Sequence, residues 1–174
     1  MKKVFIVNPG DERKAWESLG TFPVAVKNGI ARELAKSTMQ FERQVSIETP
    51  VGVSGQTRGA VYWRSIPTGG DEIEYHVGNP VSWAYPLEVG QDPHWAPKGA
   101  LKLWAIRVLG VDESEADAVD YLIRRRIAGA ALGGVGPGGT KGVHMFKNAW
   151  ETVGPEIRDR MDGMAKEIAR GHFK

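Results

Sequence analysis

Cysteine is missing from all 174 residues, which excludes a disulfide framework and a thiolate zinc site. That absence suits a reducing cytoplasm. No apolar run approaches the length of a membrane span, so no membrane partner is expected. The apolar opening Met1–Val7 is cut short by Asn8-Pro9-Gly10-Asp11-Glu12 before it reaches the length of a signal-peptide core. Charge of one sign is also scarce: the formal net charge is +2, too little to argue for nucleic acid by itself. Histidine occurs four times, at His76, His94, His144 and His172, with no pair at a metal-ligand spacing such as i, i+4.

The groups that carry catalysis are scarce as well. No carboxylate pair stands out as a general acid and base. Ser54 lies in Val-Ser-Gly, which lacks the first glycine spacing of a nucleophile elbow. Gly134-Val135-Gly136-Pro137-Gly138-Gly139 has the letters of a dinucleotide fingerprint, yet a helix pattern precedes it and Pro137 sits inside it. The fingerprint needs a strand before it and a helix N-terminus directly after, so that amides face a pyrophosphate. Gly139-Thr140-Lys141-Gly142 fails as a phosphate loop because lysine follows threonine. The expectation is no enzyme, with no catalytic residue, cofactor or metal.

What the chain does contain is tryptophan. Residues 83–110 hold three of its six, Trp83, Trp95 and Trp104, together with three prolines. Trp95 sits between His94 and Pro97 in a stiff loop, where burying it in a partner costs little entropy. This stretch has the profile of a docking edge.

The length fits one domain, residues 1–174, with a sizeable core. Residues 1–21 read as a loosely ordered lead-in. From Val24 to Val45 the apolar residues Ile30, Leu34, Phe41 and Val45 are spaced by four, seven and four, one face of an amphipathic helix lying on something flat. Residues 48–59 read as a loop. Ala60–Ile66, the alternating Ile73, Tyr75 and Val77, and Val81–Val89 read as three strands of an antiparallel meander, with a turn at Pro67–Asp71. Helix plus sheet thus occupy 22–110.

A helical portion follows over 111–174. A short helix is expected over Ala100–Leu109, and the next is capped by Asp112 or Ser114 with Ala118, Val119, Leu122, Ile123 and Ile127 on one face. Its acids come first and Arg124, Arg125 and Arg126 come last, which complements the helix dipole. Residues 129–142 read as a flexible glycine-rich connector. The last helix runs from Met145 to Ala169, with Gly154-Pro155 as the point where it could be either continuous or broken. The fold class is α+β: an antiparallel meander against an N-terminal helix, with further helices toward the C-terminus.

Three patches resemble the tail-completion or head–tail joining components of long-tailed bacteriophages, a family of minor tail components. Pro50-Val51-Gly52-Val53-Ser54-Gly55-Gln56-Thr57-Arg58 through Val61 is similar to that family's Pro-Val-x-x-Thr/Ser-Gly-x-Leu-Arg-x-Ser-Ile. Ala84 through Glu88 with Gly90 is similar to its Tyr-Ala-x-x-x-Glu-x-Gly, and the His94-Trp95-x-Pro97 loop and Trp104-Ala105 follow. Gly139-Thr140-Lys141-Gly142 with Met145, Phe146 and Ala149 is similar to Gly-Thr-x-Gly-x-x-Met-Phe. The patches span residues 22–170 in the family's order. Thr57 stands where leucine is usual, Ala60 where serine is, and Gln91 where threonine is.

The resemblance implies a structural virion protein of the neck or upper tail, made in the host bacterial cytoplasm. It implies ring assembly with itself, six-fold, and contact with connector, stopper, tail-terminator or tail-tube proteins. Residues expected to meet partners are Val53, Ser54, Arg58, His94, Trp95, Pro97, Arg124, Arg125, Arg126 and Lys141. A second reading is a nucleic-acid-binding module that uses Arg124–Arg126, Lys141 and exposed tryptophans, with passing contact to genomic DNA.

Overall fold

A computed structural model describes residues 24–67, 72–131, 134–135 and 138–170. The expected lead-in over 1–21 and most of the Pro67–Asp71 turn lie outside them. The protein is mixed helix and sheet, as the sequence pattern predicts: six helices and three two-stranded antiparallel sheets occur among the described residues. The chain divides into two compact units, one formed by residues up to 48, 60–80 and from 146 onward, the other by 49–59 and 81–145. The sequence reading placed 22–110 and 111–174 in succession. The fold interleaves them, because the last helix returns to pack on the first.

The first unit is built on α1 (Val24–Glu48) and α6 (Met145–Ala169), whose first residue belongs to the second unit. Ile30, Phe41 and Val45 are buried, as their spacing predicts. The Phe41 and Trp150 rings meet at right angles, 5.7 Å between centroids, while Val26 and Ile30, toward the other end of α1, share a core with Met164. These pairings make the two helices antiparallel. Between the two contacts, Gln40 bonds Glu156 and Arg160. The flat surface under α1 is the hairpin of β1 (Tyr62–Ile66) and β2 (Glu74–Gly78), paired Tyr62 to Gly78 through Ile66 to Glu74. The Tyr75 hydroxyl donates to the Ala31 carbonyl and Val77 is buried.

Helix α6 does not break at Gly154-Pro155; it runs continuously through Pro155. Gly154 is buried there for a steric reason. A Cβ at Gly154 would lie 2.8 Å from the Trp150 ring, which folds back along the helix onto the glycine. Arg158, two turns along, lies 5.3 Å over the same ring.

The second unit is organised around α3 (Ala84–Val89). Val81–Val89 is thus a turn and a helix instead of the third strand of a meander. Its β-forming residues Val81, Trp83, Tyr85 and Val89 fit alternation, but Ala84 and Glu88, one helical turn apart, are the buried pair. Pro86 is tolerated because it falls in the first turn, where no intrahelical donor is lost. The expected loop at 48–59 contains a single helical turn, α2 (Gln56–Gly59), with Thr57 buried. The Thr57 hydroxyl accepts from the Trp83 indole N–H at 2.7 Å, a bond that leucine at this position has no atom to make.

The described parts of the glycine-rich segment include three short paired strands. β4 (Ala130–Ala131) pairs with β5 (Gly134–Val135), and β6 (Thr140–Lys141) pairs with β3 (Gly90–Gln91). Glycine is needed here for close backbone approach. Gly90 has φ +86° and a Cβ there would sit 2.4 Å from the Thr140 carbonyl; a Cβ at Gly142 would sit 2.4 Å from the Glu88 carbonyl. Beyond β6, the amides of Val143 and His144 donate to the Leu87 and Glu88 carbonyls.

α4 (Lys102–Leu109) and α5 (Ala116–Ile127) complete this unit. α4 ends at Gly110 in the left-handed conformation, its amide bonded to the Ala105 carbonyl. α5 departs from expectation twice. Glu115 occupies the cap position without a side-chain bond, because the backbone turn Glu115 N to Asp112 O already sets the entry. Its buried positions are Ala116 and Asp120, whereas Ala118 and Leu122 are exposed.

Candidate functional site: a clasped aromatic loop

Asp120 explains why the buried face of α5 is turned from the apolar one. A carboxylate in the interior requires donors, and the loop after Trp95 provides them. Its Oδ2 accepts from the Gly99 amide and its Oδ1 from the Leu101 amide, each at 3.0 Å. Arg124, one turn later, approaches Oδ2 at 3.5 Å. Burial pushes the Asp120 carboxyl pKa up, but the two amides and the Arg124 guanidinium outweigh it and hold the group below the usual carboxylate range.

Arg124 also grips the loop at the residue directly after Trp95. Its Nε donates to the Ala96 carbonyl at 2.8 Å, and its guanidinium carbon lies 5.7 Å from the Trp95 ring centroid. The Tyr121 ring lies 6.4 Å from that of Trp95 at a 31° interplanar angle. The loop is thus tied to α5 at Ala96, Gly99 and Leu101. At its root a Cβ on Gly139 would lie 2.3 Å from the Gln91 carbonyl, so the β6 strand backs it closely. Despite this clasp, Trp95 stays 54% exposed and Tyr121 50%. Leu122 on α5 and Leu103, Val108 and Leu109 on α4 are exposed as well.

The expected contact residues all belong to this second unit. Trp95, His94 and Pro97 are exposed on the clasped loop, with His94 Nδ1 beside the Asp92 carbonyl at 2.9 Å. Val53 is half-buried; Ser54 is exposed, its hydroxyl accepting from the Gln56 amide. Arg58 is exposed on α2 and its Nε donates to the Thr49 carbonyl at 2.8 Å. Lys141 is exposed on β6 opposite Gly90.

Consecutive position does not make the three arginines one patch. Arg124 turns to the Trp95 loop, Arg125 donates to the Ala130 carbonyl at 2.8 Å, and Arg126 is exposed. Sequence reasoning missed Asp120, Tyr121 and Leu122 as members of the site. The signal for the first was an acid four residues before an arginine, inside an apolar stripe.

Among the described residues no group of three or more His, Asp or Glu side chains is placed to hold a metal ion. Nor is any described helix long and apolar enough to cross a membrane. No family model, curated protein or solved structure matches this chain.

Proposed function

We propose that this chain is a structural subunit of a long-tailed bacteriophage neck or upper tail, a tail-completion protein that acts by ring assembly and not by catalysis. One observation supports that reading above the others: the loop that carries Trp95 is held by Asp120 and Arg124, yet the Trp95 side chain is left half in solvent. A rigid, exposed aromatic is the form of side chain that concentrates binding energy at protein interfaces, since little freedom is lost when it is buried. The three sequence patches that resemble tail-completion proteins supply the biological setting.

The nucleic-acid alternative draws less support. Arg124 and Arg125, two of its four basic residues, each donate to a carbonyl of their own chain. The test is co-sedimentation of the purified chain with connector, stopper, tail-terminator and tail-tube proteins of a long-tailed phage, with a DNA arm in parallel. Binding to one of those proteins, lost on Trp95→Ala, is the expected result. Binding to DNA alone, falling steeply with salt, overturns the reading.

A further inference from the structure

The solvent face of α1 and the start of α5 carry opposite charges around similar apolar residues. On α1 the exposed positions 32, 36, 39, 43 and 47 follow one another by four, three, four and four, a single helical stripe. It reads Arg32, Lys36, Met39, Arg43, Ile47, with three cations and no acid. Met39 is 50% exposed and, with Gln40, Glu42, Arg43 and Trp63, lines an open groove beside β1. The flanking acids Glu33 and Glu42 are half-buried, and Glu33 pairs with Lys36.

On α5 the matching residues are acidic. Glu113, Glu115 and Asp117 are exposed at its start, with Asp117 also bonded to Lys102 at 2.9 Å. One turn further come the exposed Ala118, Tyr121 and Leu122, and Arg126 stands at the far end.

We infer that the α1 stripe of one copy receives the α5 face of a second copy, a head-to-tail contact of the chain with itself. The inference rests on the ring-assembly reading above and names the surfaces that would make the ring. Charge complementarity selects the occupant: the exposed cations of α1 face acids that the same chain displays on a different helix. The spacing agrees as well. From the midpoint of Arg32 and Lys36 to that of Met39 and Arg43 is about seven residues, roughly 10 Å along a helix. From Glu115 to the Tyr121–Leu122 pair is nearly the same distance. Parallel alignment sets the acids against Arg32 and Lys36, and Tyr121 and Leu122 against Met39 and Arg43. Exposed aliphatic side chains in the stripe favour a protein over a nucleic acid, whose backbone offers them nothing to bury against. Because the two surfaces differ, the contact is heterologous, the type that generates rings or filaments instead of closed two-fold pairs.

The test is a charge exchange read by sedimentation velocity of the full chain, alone, at low and high salt. Wild type associates at low salt and less so at ~0.5 M, where screening shortens to a few ångströms. Arg32→Glu/Lys36→Glu weakens association by about tenfold or more, and so does Glu113→Lys/Glu115→Lys. Mixed together, the two variants regain association, since each reversed surface meets its complement. Unchanged melting temperatures and the milder Glu113→Gln/Glu115→Gln guard against misfolding as the cause.

A mixture that stays monomeric, or single variants that associate like wild type, overturns the inference. So does a wild type that is monomeric at ~1 mM in low salt, well above the range of specific contacts. If such a chain still binds neck or tail proteins, the ring contact falls while the neck reading stands. Loss of DNA binding in the α1 variant, with self-association intact, would reassign the stripe to nucleic acid.

Discussion

The guanidinium of Arg124 lies 5.7 Å from the Trp95 ring centroid while its Nε bonds the carbonyl of the next residue, Ala96. One side chain therefore fixes both the backbone and the ring of an exposed loop. A lysine at this position keeps the charge but lacks the flat, multiply donating head. Arg124→Lys is expected to free the loop: acrylamide quenching of its tryptophan fluorescence rises, and the chain loses about 1 kcal/mol of stability. A quenching profile identical to wild type would show that the clasp does not depend on the guanidinium.

Asp120 holds the same loop by its amides, and its removal should cost more. Asp120→Ala leaves the Gly99 and Leu101 amides without their acceptor and Arg124 without its acid, a loss of about 1–3 kcal/mol. Urea denaturation followed by tryptophan emission reads it as a lower midpoint at an unchanged slope. A midpoint within error of wild type would mean that water takes over both amides.

The pH dependence follows from the direction of the Asp120 shift. Its folded pKa lies below the unfolded value, so the unfolded chain binds the proton first on acidification. The stability it contributes is fully present above the ordinary carboxylate range, about pH 4 to 5, and is lost as pH falls through the lower folded value. In Asp120→Asn this component of the acid transition disappears. Comparing the two stability profiles between neutral pH and ~2.5 isolates it; parallel profiles would assign acid sensitivity to other carboxylates.

The fold was legible where one periodicity ran long enough to exclude others. Ile30, Phe41 and Val45 mark the buried face of α1 because a 25-residue amphipathic helix repeats its signal over many turns. The six-residue α3 offers less than two turns, and its aromatics and valines alternate as a strand's would. On α5 the expected stripe was misaligned because Asp120 occupies a position that hydrophobic counting leaves to solvent. The glycines at 90, 139 and 142 show in the sequence only as composition. Their requirement comes from carbonyls across the ladder, which no local pattern reveals. Trp95 could be singled out from its neighbours His94 and Pro97, whereas its clasp depends on α5 packing that only the fold brings about.

Gly154 offers a substitution whose sign is reversed. In a helix interior, Gly→Ala ordinarily stabilises by about 0.5–1 kcal/mol. At Gly154 the added methyl meets the Trp150 ring at 2.8 Å, and that ring packs at right angles against Phe41. Gly154→Ala is therefore expected to destabilise by about 1–3 kcal/mol, as overpacked cores do. Gly163→Ala, in the same helix with open space around it, is the control and should stabilise. Thermal melts of the two variants moving in the same direction would contradict the crowding around Trp150.

Trp83 and Trp95 are about equally exposed, at 49% and 54%, yet their removal should be read by different experiments. The Trp83 indole bonds the hydroxyl of buried Thr57, tying the start of α3 to α2. Trp83→Ala strips that hydroxyl of its donor and should lower stability by about 1–2 kcal/mol. Trp95 gives up its ring contacts with Arg124, which is mostly buried, and with half-exposed Tyr121, while Arg124 keeps its bonds to Ala96 and Asp120, so the loss is about 1 kcal/mol. If Trp95 is the interface anchor, its cost appears on assembly instead: removing a central aromatic costs 2 kcal/mol or more, roughly thirtyfold in affinity. Trp95→Ala should thus melt close to wild type and fail to join neck or tail proteins, while Trp83→Ala melts lower and still joins them at a temperature where it is folded. The opposite pattern would move the docking edge from the clasped loop to the entry of α3.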